Sequence, residues 1–235
     1  MSSYEVEIKC LLGDKDGADD LVRRMKEKDP GLAQLSYHKQ LNHYFIGGDL
    51  NRLYENIVPF LKEEEKGQLE QLVGGAKDPV KPKGNGASFS LRTRWADGDA
   101  ILVLKISVDE GTSFNTIGRR EWEVKMPSLT LEELDAFVLK SGFEYQAKWS
   151  RERTEYKYLG VNSTIDKNAG YGYLAEFERV VNDETKVPEA KSQLKGIIKE
   201  LNLKELPQDR LERMFAYYNA HWQDYYGTDK VFVVE

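Results

Sequence analysis

Cysteine is all but missing from this chain. Cys10 stands alone among 235 residues, which excludes an internal disulfide framework and a Cys-rich zinc site and favours a reducing compartment, the cytoplasm. Long apolar runs are missing too: none approaches the roughly 18 residues of a membrane span, so no membrane association is expected. Nor is a secretory leader expected, because a charged motif begins at residue 5, where a basic and then apolar leader would stand. Histidine is scarce, and His38, His43 and His221 follow no metal-ligand spacing; they read as surface or internally satisfied side chains. The segment Lys81-Pro82-Lys83-Gly84-Asn85-Gly86 lacks the spacing of a phosphate-binding loop and reads as a linker. Positive charge is not in excess. Asp and Glu number 40 against 34 Lys and Arg, a net charge of −6, which argues against broad nucleic-acid binding. It does not exclude a local cationic cavity for a small polyanion.

What is present is ordinary in bulk and unusual in pattern. The chain is 40% hydrophobic and 31% charged, and its length suits one large or two small domains with a substantial core. We read it as a single domain over residues 1–235, with a helical insertion at about 47–87 and a C-terminal helical part at about 188–227. Helical patterns fall at Asp16–Lys28, Asp49–Val73 (interrupted by Pro59), Leu131–Ser141, Pro188–Leu201 and Gln208–Tyr226. Thr130 with Glu133 forms a capping box and Gly142 a C-terminal stop. Strand patterns fall at residues 3–12, Ser36–Ile46, Ser88–Trp95, Ala100–Val108, Arg119–Met126, Trp149–Leu159, Val161–Asp166 and Gly172–Val181. No repeat of solenoid length is visible. Strands dominate the middle and helices punctuate them, so the class is α+β with an antiparallel sheet.

Alternate residues of a strand share a face, and here most strands carry one charged face of mixed sign. Glu5, Glu7 and Lys9 line one side of the first strand, with Tyr4, Val6 and Ile8 behind. Arg92 and Arg94 align, and Lys105 shares a face with Ile101 and Val103. Arg119, Glu121, Glu123 and Lys125 form one row, Arg151, Arg153 and Glu155 another, and Glu176 with Glu178 a third, with Asp166 on the preceding strand. One reading is a solvated sheet laced with cross-strand ion pairs, each worth at most about 1 kcal/mol when exposed. The other is a barrel whose charges point inward, where they must be paired or occupied by ion and ligand. Carboxylates are hard oxygen ligands for Mg²⁺ or Mn²⁺, and guanidinium forks grip phosphate oxygens.

These motifs, in this order, resemble the CYTH family of triphosphate tunnel metalloenzymes. Glu5-x-Glu7-x-Lys9 is similar to its N-terminal signature and Tyr44-Phe45 to its aromatic second-strand motif, with Asn42-His43 departing from the usual residues before it. Arg92-x-Arg94, Lys105 and Glu121-x-Glu123 are similar to the central basic and acidic strands. Arg151-x-Arg153-x-x-Tyr156 resembles the Lys/Arg-x-Arg-x-x-Tyr element, and Asp166, Gly170 to Gly172 and Glu176-x-Glu178 the terminal signature. The resemblance spans about residues 4–180 and implies an eight-stranded antiparallel β-barrel, a tunnel with charged interior flanked by helices. It also implies a divalent cation and a small-molecule triphosphate substrate.

By that resemblance Glu5, Glu7, Glu123, Glu176 and Glu178, supported by Glu121 and Asp166, are the expected metal ligands. Lys9, Arg92, Arg94, Lys105, Arg151 and Arg153 are expected to bind the triphosphate. Lys9, Arg151, Arg153 and Tyr44 are the expected catalytic set, Tyr44 orienting the attacking water. Arg151 stands where several members carry lysine, and arginine is essentially never deprotonated, which counts against proton transfer there. The expected activity is metal-dependent triphosphate hydrolysis. The alternatives are a class IV adenylyl cyclase and a non-catalytic triphosphate-binding module. Trp95 is out of phase with Arg94 and is expected to pack on a helix. Phe215, Tyr217, Tyr218 and Trp222 are expected to dock the last helix on the sheet, a helix that also suits a homodimer contact.

Overall fold

A computed structural model describes residues 4–75, 89–107 and 119–234. The linker read at Lys81–Gly86 lies outside them. In chain order the elements are β1 (Tyr4–Gly13), α1 (Lys15–Lys28), β2 (Gln34–Gly47), α2 (Leu50–Ile57), α3 (Glu63–Gly75), β3 (Phe89–Ala96), β4 (Asp99–Ser107), β5 (Arg119–Lys125), α4 (Leu131–Lys140), β6 (Phe143–Tyr158), β7 (Val161–Asn168), β8 (Gly172–Val181), α5 (Val187–Glu200) and α6 (Gln208–Tyr225). The strands follow the order β1-β8-β7-β6-β2-β3-β4-β5, and the pairs β1–β8, β8–β7, β7–β6, β3–β4 and β4–β5 are antiparallel. The expected α+β class with eight antiparallel strands and flanking helices is borne out. Among the described residues no helix is long and apolar enough to cross a membrane.

The chain divides into two compact units. The first comprises residues up to Gln40 and from Trp149 onward, and the second spans Leu41–Lys148. Strands β2 and β6 are long enough to contribute a segment to each.

In the first unit the apolar face of the sheet carries Val6, Ile8 and Cys10 of β1, Ala175 and Phe177 of β8 and Ile165 of β7. Two helices cover it. α1 presents Ala18, Leu21 and Met25, spaced by three and four residues along one side, and α5 presents Ala190, Leu194 and Ile198. The start of α1 is fixed by the Asp14 carboxylate, which accepts from the Gly17 amide at 3.0 Å; such a cap contributes about 1 kcal/mol. α6 packs through aromatic stacking: the Tyr218 ring lies 3.7 Å from Trp149 of β6, and Tyr171 meets Trp149 edge-on at 5.1 Å. Docking of the last helix is thus as expected. Gly172, at φ +73°, comes so close to the Gly13 carbonyl that a Cβ would sit 2.3 Å from its oxygen, so only glycine permits that approach.

The second unit buries Leu91, Leu102, Leu104, Trp122 and Val124 of its strands against Leu134 and Val138 of α4, with Leu53, Ile57 and Leu69 of α2 and α3 in the same cluster. α2 ends at Ile57, before a single 3₁₀ turn holding Pro59, the interruption the sequence predicted. α4 carries the full capping box of Thr130 and Glu133. β6 begins at Phe143, six residues before the predicted start at Trp149. Phe143, Ala147 and Trp149 are buried on one face with the half-buried Tyr145 between them, a period of two that the sequence reading overlooked. Trp95 needs correction: it is 37% exposed. It shares a face with the buried Leu91 but sits at the tip of the β3–β4 hairpin, beside the Asp97-Gly98 turn with φ of 54° and 92°.

Phe177 is fully buried at the centre of the first unit's core. Phe177→Ala should lower the unfolding free energy by about 3–5 kcal/mol, measured by urea denaturation followed by fluorescence.

Candidate functional site

In the first unit the face opposite the core is the charged one, and strand register builds it row by row. Lys9 of β1 lies across from Glu176 of β8, and Glu7 from Glu178. Glu176 is in turn opposite Thr164 of β7, and Glu178 opposite Asn162. Asp166 of β7 faces Arg153 of β6. Like charges directly across a ladder are destabilising, so the Glu7–Glu178 pair marks a place where negative charge is concentrated.

Beside it the charges are locked together. The Lys9 ammonium donates to Glu7 at 2.5 Å and lies 3.4 Å from Glu176. Arg153 grips Asp166 with two parallel bonds, Nε to Oδ1 at 2.7 Å and Nη2 to Oδ2 at 2.6 Å, the strong bidentate arrangement. The same Nη2 donates to Glu176 at 2.8 Å. Arg151 donates to Asp166 at 3.3 Å and, through Nε and Nη2, to the side-chain oxygen of Gln40 on β2 at 3.1 and 2.5 Å. Asp166 is only 1% exposed, so these arginines neutralise a carboxylate that burial alone would penalise. Burial opposes the charge on Glu176, but Lys9, Arg153 and Arg151 outweigh it and pull its carboxyl down to about 2. Burial likewise opposes the charge on Lys9, and its two glutamates more than compensate, holding it protonated above its ordinary value. Glu178 moves the other way: burial, then Glu5, Glu7 and Glu176, raise it above its ordinary value, with Asn162 opposing.

Among the described residues no three His, Cys, Asp or Glu side chains converge into a ready-made metal cage. Asp166 and Glu176 already have arginine and lysine partners. Glu5, Glu7 and Glu178 lie on this face and repel one another; as hard oxygen donors they would suit Mg²⁺ or Mn²⁺, which would relieve that repulsion.

The second unit has a charged face of its own. Arg92 of β3 donates to the Tyr44 hydroxyl at 2.9 Å and lies over that ring. Arg94 donates through Nε to the Asn42 side-chain oxygen at 3.0 Å and through Nη1 to Glu123 of β5 at 3.3 Å. Lys105 of β4 stands between Ser90 and Glu121 in the ladder. The backbone of Glu121 is in β5, but its side chain lies outside the described part of the structure. Behind the strands His43, Thr93 and Tyr145 all meet the buried Asp135 of α4, at 2.6, 2.5 and 2.6 Å. His43 is therefore an internally satisfied histidine, as expected.

The structure thus brings Glu7, Lys9, Arg151, Arg153, Asp166 and Glu176 into one hydrogen-bonded network, with Glu5 and Glu178 beside it. Within the second unit it joins Arg92 to Tyr44 and Arg94 to Glu123. Sequence reasoning missed Gln40 and Asn42, although with Tyr44 they occupy alternate positions of β2, each holding an arginine. It also missed Asp135, which sits in the buried stripe Leu131, Leu134, Asp135, Val138 of α4. A carboxylate at a core position is itself a signal of a buried partner.

An α+β protein with an eight-stranded antiparallel sheet and mixed-charge strand faces is the class these observations define. Residues 78–210 match the CYTH domain, and the chain belongs to the CYTH family. Among curated proteins none matches it in sequence. Among solved structures it is similar to a conserved hypothetical protein of Pyrococcus furiosus, at 21% identity and a TM-score of 0.56, over 86% of this chain and 92% of that one. It is also similar to a candidate adenylate cyclase of Vibrio parahaemolyticus, at 13% identity and a TM-score of 0.55, over 92% and 99%. A third is a candidate adenylyl cyclase of Hippeastrum described as having a dominant triphosphatase activity, at 17% identity and a TM-score of 0.50, over 92% and 96%. At these identities the likeness is one of fold.

Two stability outcomes follow from the network. Arg153→Ala leaves Asp166 buried with Arg151 as its remaining cation and should cost about 3–5 kcal/mol, whereas replacing Arg153 and Asp166 together by Met and Leu should cost clearly less; urea denaturation of the three proteins checks this. Glu176 titrates lower in the fold than its ordinary 4.5, so its contribution is complete above that pH and is lost as pH falls toward about 2. Acid unfolding of Glu176→Gln should accordingly show a flatter dependence across that interval than the native protein.

Proposed function

We propose that this protein is a divalent-metal-dependent triphosphatase, acting on inorganic triphosphate or a small organic or nucleoside triphosphate. The observation that carries this reading is the charged face of the first unit's sheet: Glu5, Glu7 and Glu178 repel one another beside Lys9, Arg151 and Arg153, which Glu7, Glu176 and Asp166 hold in place.

In this reading Glu5, Glu7 and Glu178 hold Mg²⁺ or Mn²⁺, with Glu176 exchanging its bonds to Lys9 and Arg153 as phosphate oxygens arrive. The bound ion supplies charge neutralisation and Lewis-acid polarisation. Lys9, Arg151 and Arg153 bind phosphate oxygens as permanent cations; the glutamates that keep Lys9 protonated make it a charge donor rather than a proton acceptor. Taken by itself, the second unit offers phosphate donors in Arg92, Arg94 and Lys105, a carboxylate in Glu123 and a hydroxyl in Tyr44. Phosphoryl transfer needs positioning and charge stabilisation more than covalent chemistry, and this residue set offers both. The triphosphatase activity attributed to the Hippeastrum protein supports hydrolysis over cyclisation. The same charges would serve a cyclase, in which a ribose hydroxyl attacks the α-phosphorus and pyrophosphate leaves.

The test is incubation with Mg²⁺ or Mn²⁺ and, separately, inorganic triphosphate and ATP, following orthophosphate and cyclic AMP. Orthophosphate without cyclic product is expected, and the double variant Glu176→Gln/Glu178→Gln should lose activity by roughly a hundredfold or more. Cyclic AMP with pyrophosphate would replace the hydrolase by the cyclase. Tight binding with no turnover would make the protein a binding module, and an undiminished double variant would overturn the metal assignment.

A further inference from the structure

We infer that Asp135 is a positioning residue for anion binding, acting from behind the sheet through Arg92 and Arg94. The inference rests on the reading that these arginines bind a triphosphate. Asp135 belongs to α4 and is 3% exposed. Its Oδ1 accepts from the Thr93 hydroxyl at 2.5 Å, and its Oδ2 meets His43 Nδ1 at 2.6 Å and accepts from the Tyr145 hydroxyl at 2.6 Å. One helix carboxylate thereby ties together β2, β3 and β6 within the second unit.

The placement of those partners gives the contact its consequence. Thr93 lies between Arg92 and Arg94 on β3, and because successive side chains point to opposite faces, fixing Thr93 backward fixes the two arginines forward. His43 lies in the same way between Asn42 and Tyr44 on β2, the residues that accept from Arg94 at 3.0 Å and from Arg92 at 2.9 Å. Asp135 therefore restrains both the strand that carries the arginines and the strand that orients them. Thr93 is fully buried and His43 is 4% exposed, so water cannot substitute for the carboxylate without opening the core. An apolar residue in the helix stripe would hold the helix equally well; a carboxylate adds directional bonds, which set the strands' rotation as well as their distance.

The test uses the full chain and inorganic triphosphate as the probe, with affinity measured by calorimetry and folding by thermal melting. Asp135→Asn preserves shape and should weaken binding about ten- to a hundredfold, the range expected when supporting contacts let binding groups drift. In an Arg92→Ala/Arg94→Ala background the same substitution should weaken residual binding no further while lowering the melting temperature as before, since coupled residues are non-additive. Thr93→Val replaces it if Asp135→Asn fails to fold, with the same expectations. Native binding with an unaffected variant, or an equal loss in both backgrounds, would overturn the positioning role alone. Failure of the native protein to bind triphosphate would overturn the ligand class and this inference with it.

Discussion

Asp166 can occupy its place because Arg153, with Arg151 beside it, neutralises it. A carboxylate this deeply buried is tolerated when its oxygens are bonded to cations, and the two-pronged contact with Arg153 meets that requirement. The arginine is then committed in direction: its fork is planar and rigid, so the nitrogen that bonds Asp166 is also the one that reaches Glu176. Glu176 in turn draws Lys9, and Lys9 bonds Glu7. The chain of bonds runs from β6 and β7 through β8 to β1, with Gln40 of β2 attached through Arg151. The register of the first unit is thus specified on both faces, by apolar packing on one and by charge matching on the other, and a one-residue slip of any strand would defeat both.

The strand faces were legible because the period of two is short and the residue types extreme. Glu5-Val6-Glu7-Ile8-Lys9 can hardly place its charges and its aliphatic side chains anywhere but on opposite faces, and Arg151-x-Arg153 and Glu176-x-Glu178 behave alike. What the alternation does not reveal is the partner. Nothing local to Glu176 and Glu178 distinguishes two glutamates two residues apart. Yet one is pulled to about 2 by lysine and arginine from other strands, while the other is pushed up by burial and by neighbouring glutamates. That difference is made by the register against β1, where Glu176 meets Lys9 and Glu178 meets Glu7. Trp95 shows the same limit: its face is correct from the alternation, but whether a helix extends far enough to cover it is a tertiary fact. The roles of Gln40 and Asn42 as arginine acceptors were not legible because neutral amides carry no charge pattern.

The pairing of charge also constrains what the first unit's face can bind. Lys9 and Arg153 do not wait unpaired for an anion; Glu176 holds both. On the proposed reading an incoming phosphate must take them away, leaving a partly buried carboxylate without its cations. That state is costly unless positive charge arrives with the anion. Glu178 sets the complementary limit: burial, and then the surrounding glutamates, raise its carboxyl, so a polyanion approaching alone would meet repulsion there. A divalent cation and a polyphosphate entering together change the net charge of the face far less than either alone, and each removes the penalty that opposes the other. On that reading, positive coupling between the two ligands would follow from the pairing of Lys9 with Glu176 and of Glu7 with Glu178, and by linkage each would tighten the other by the same factor.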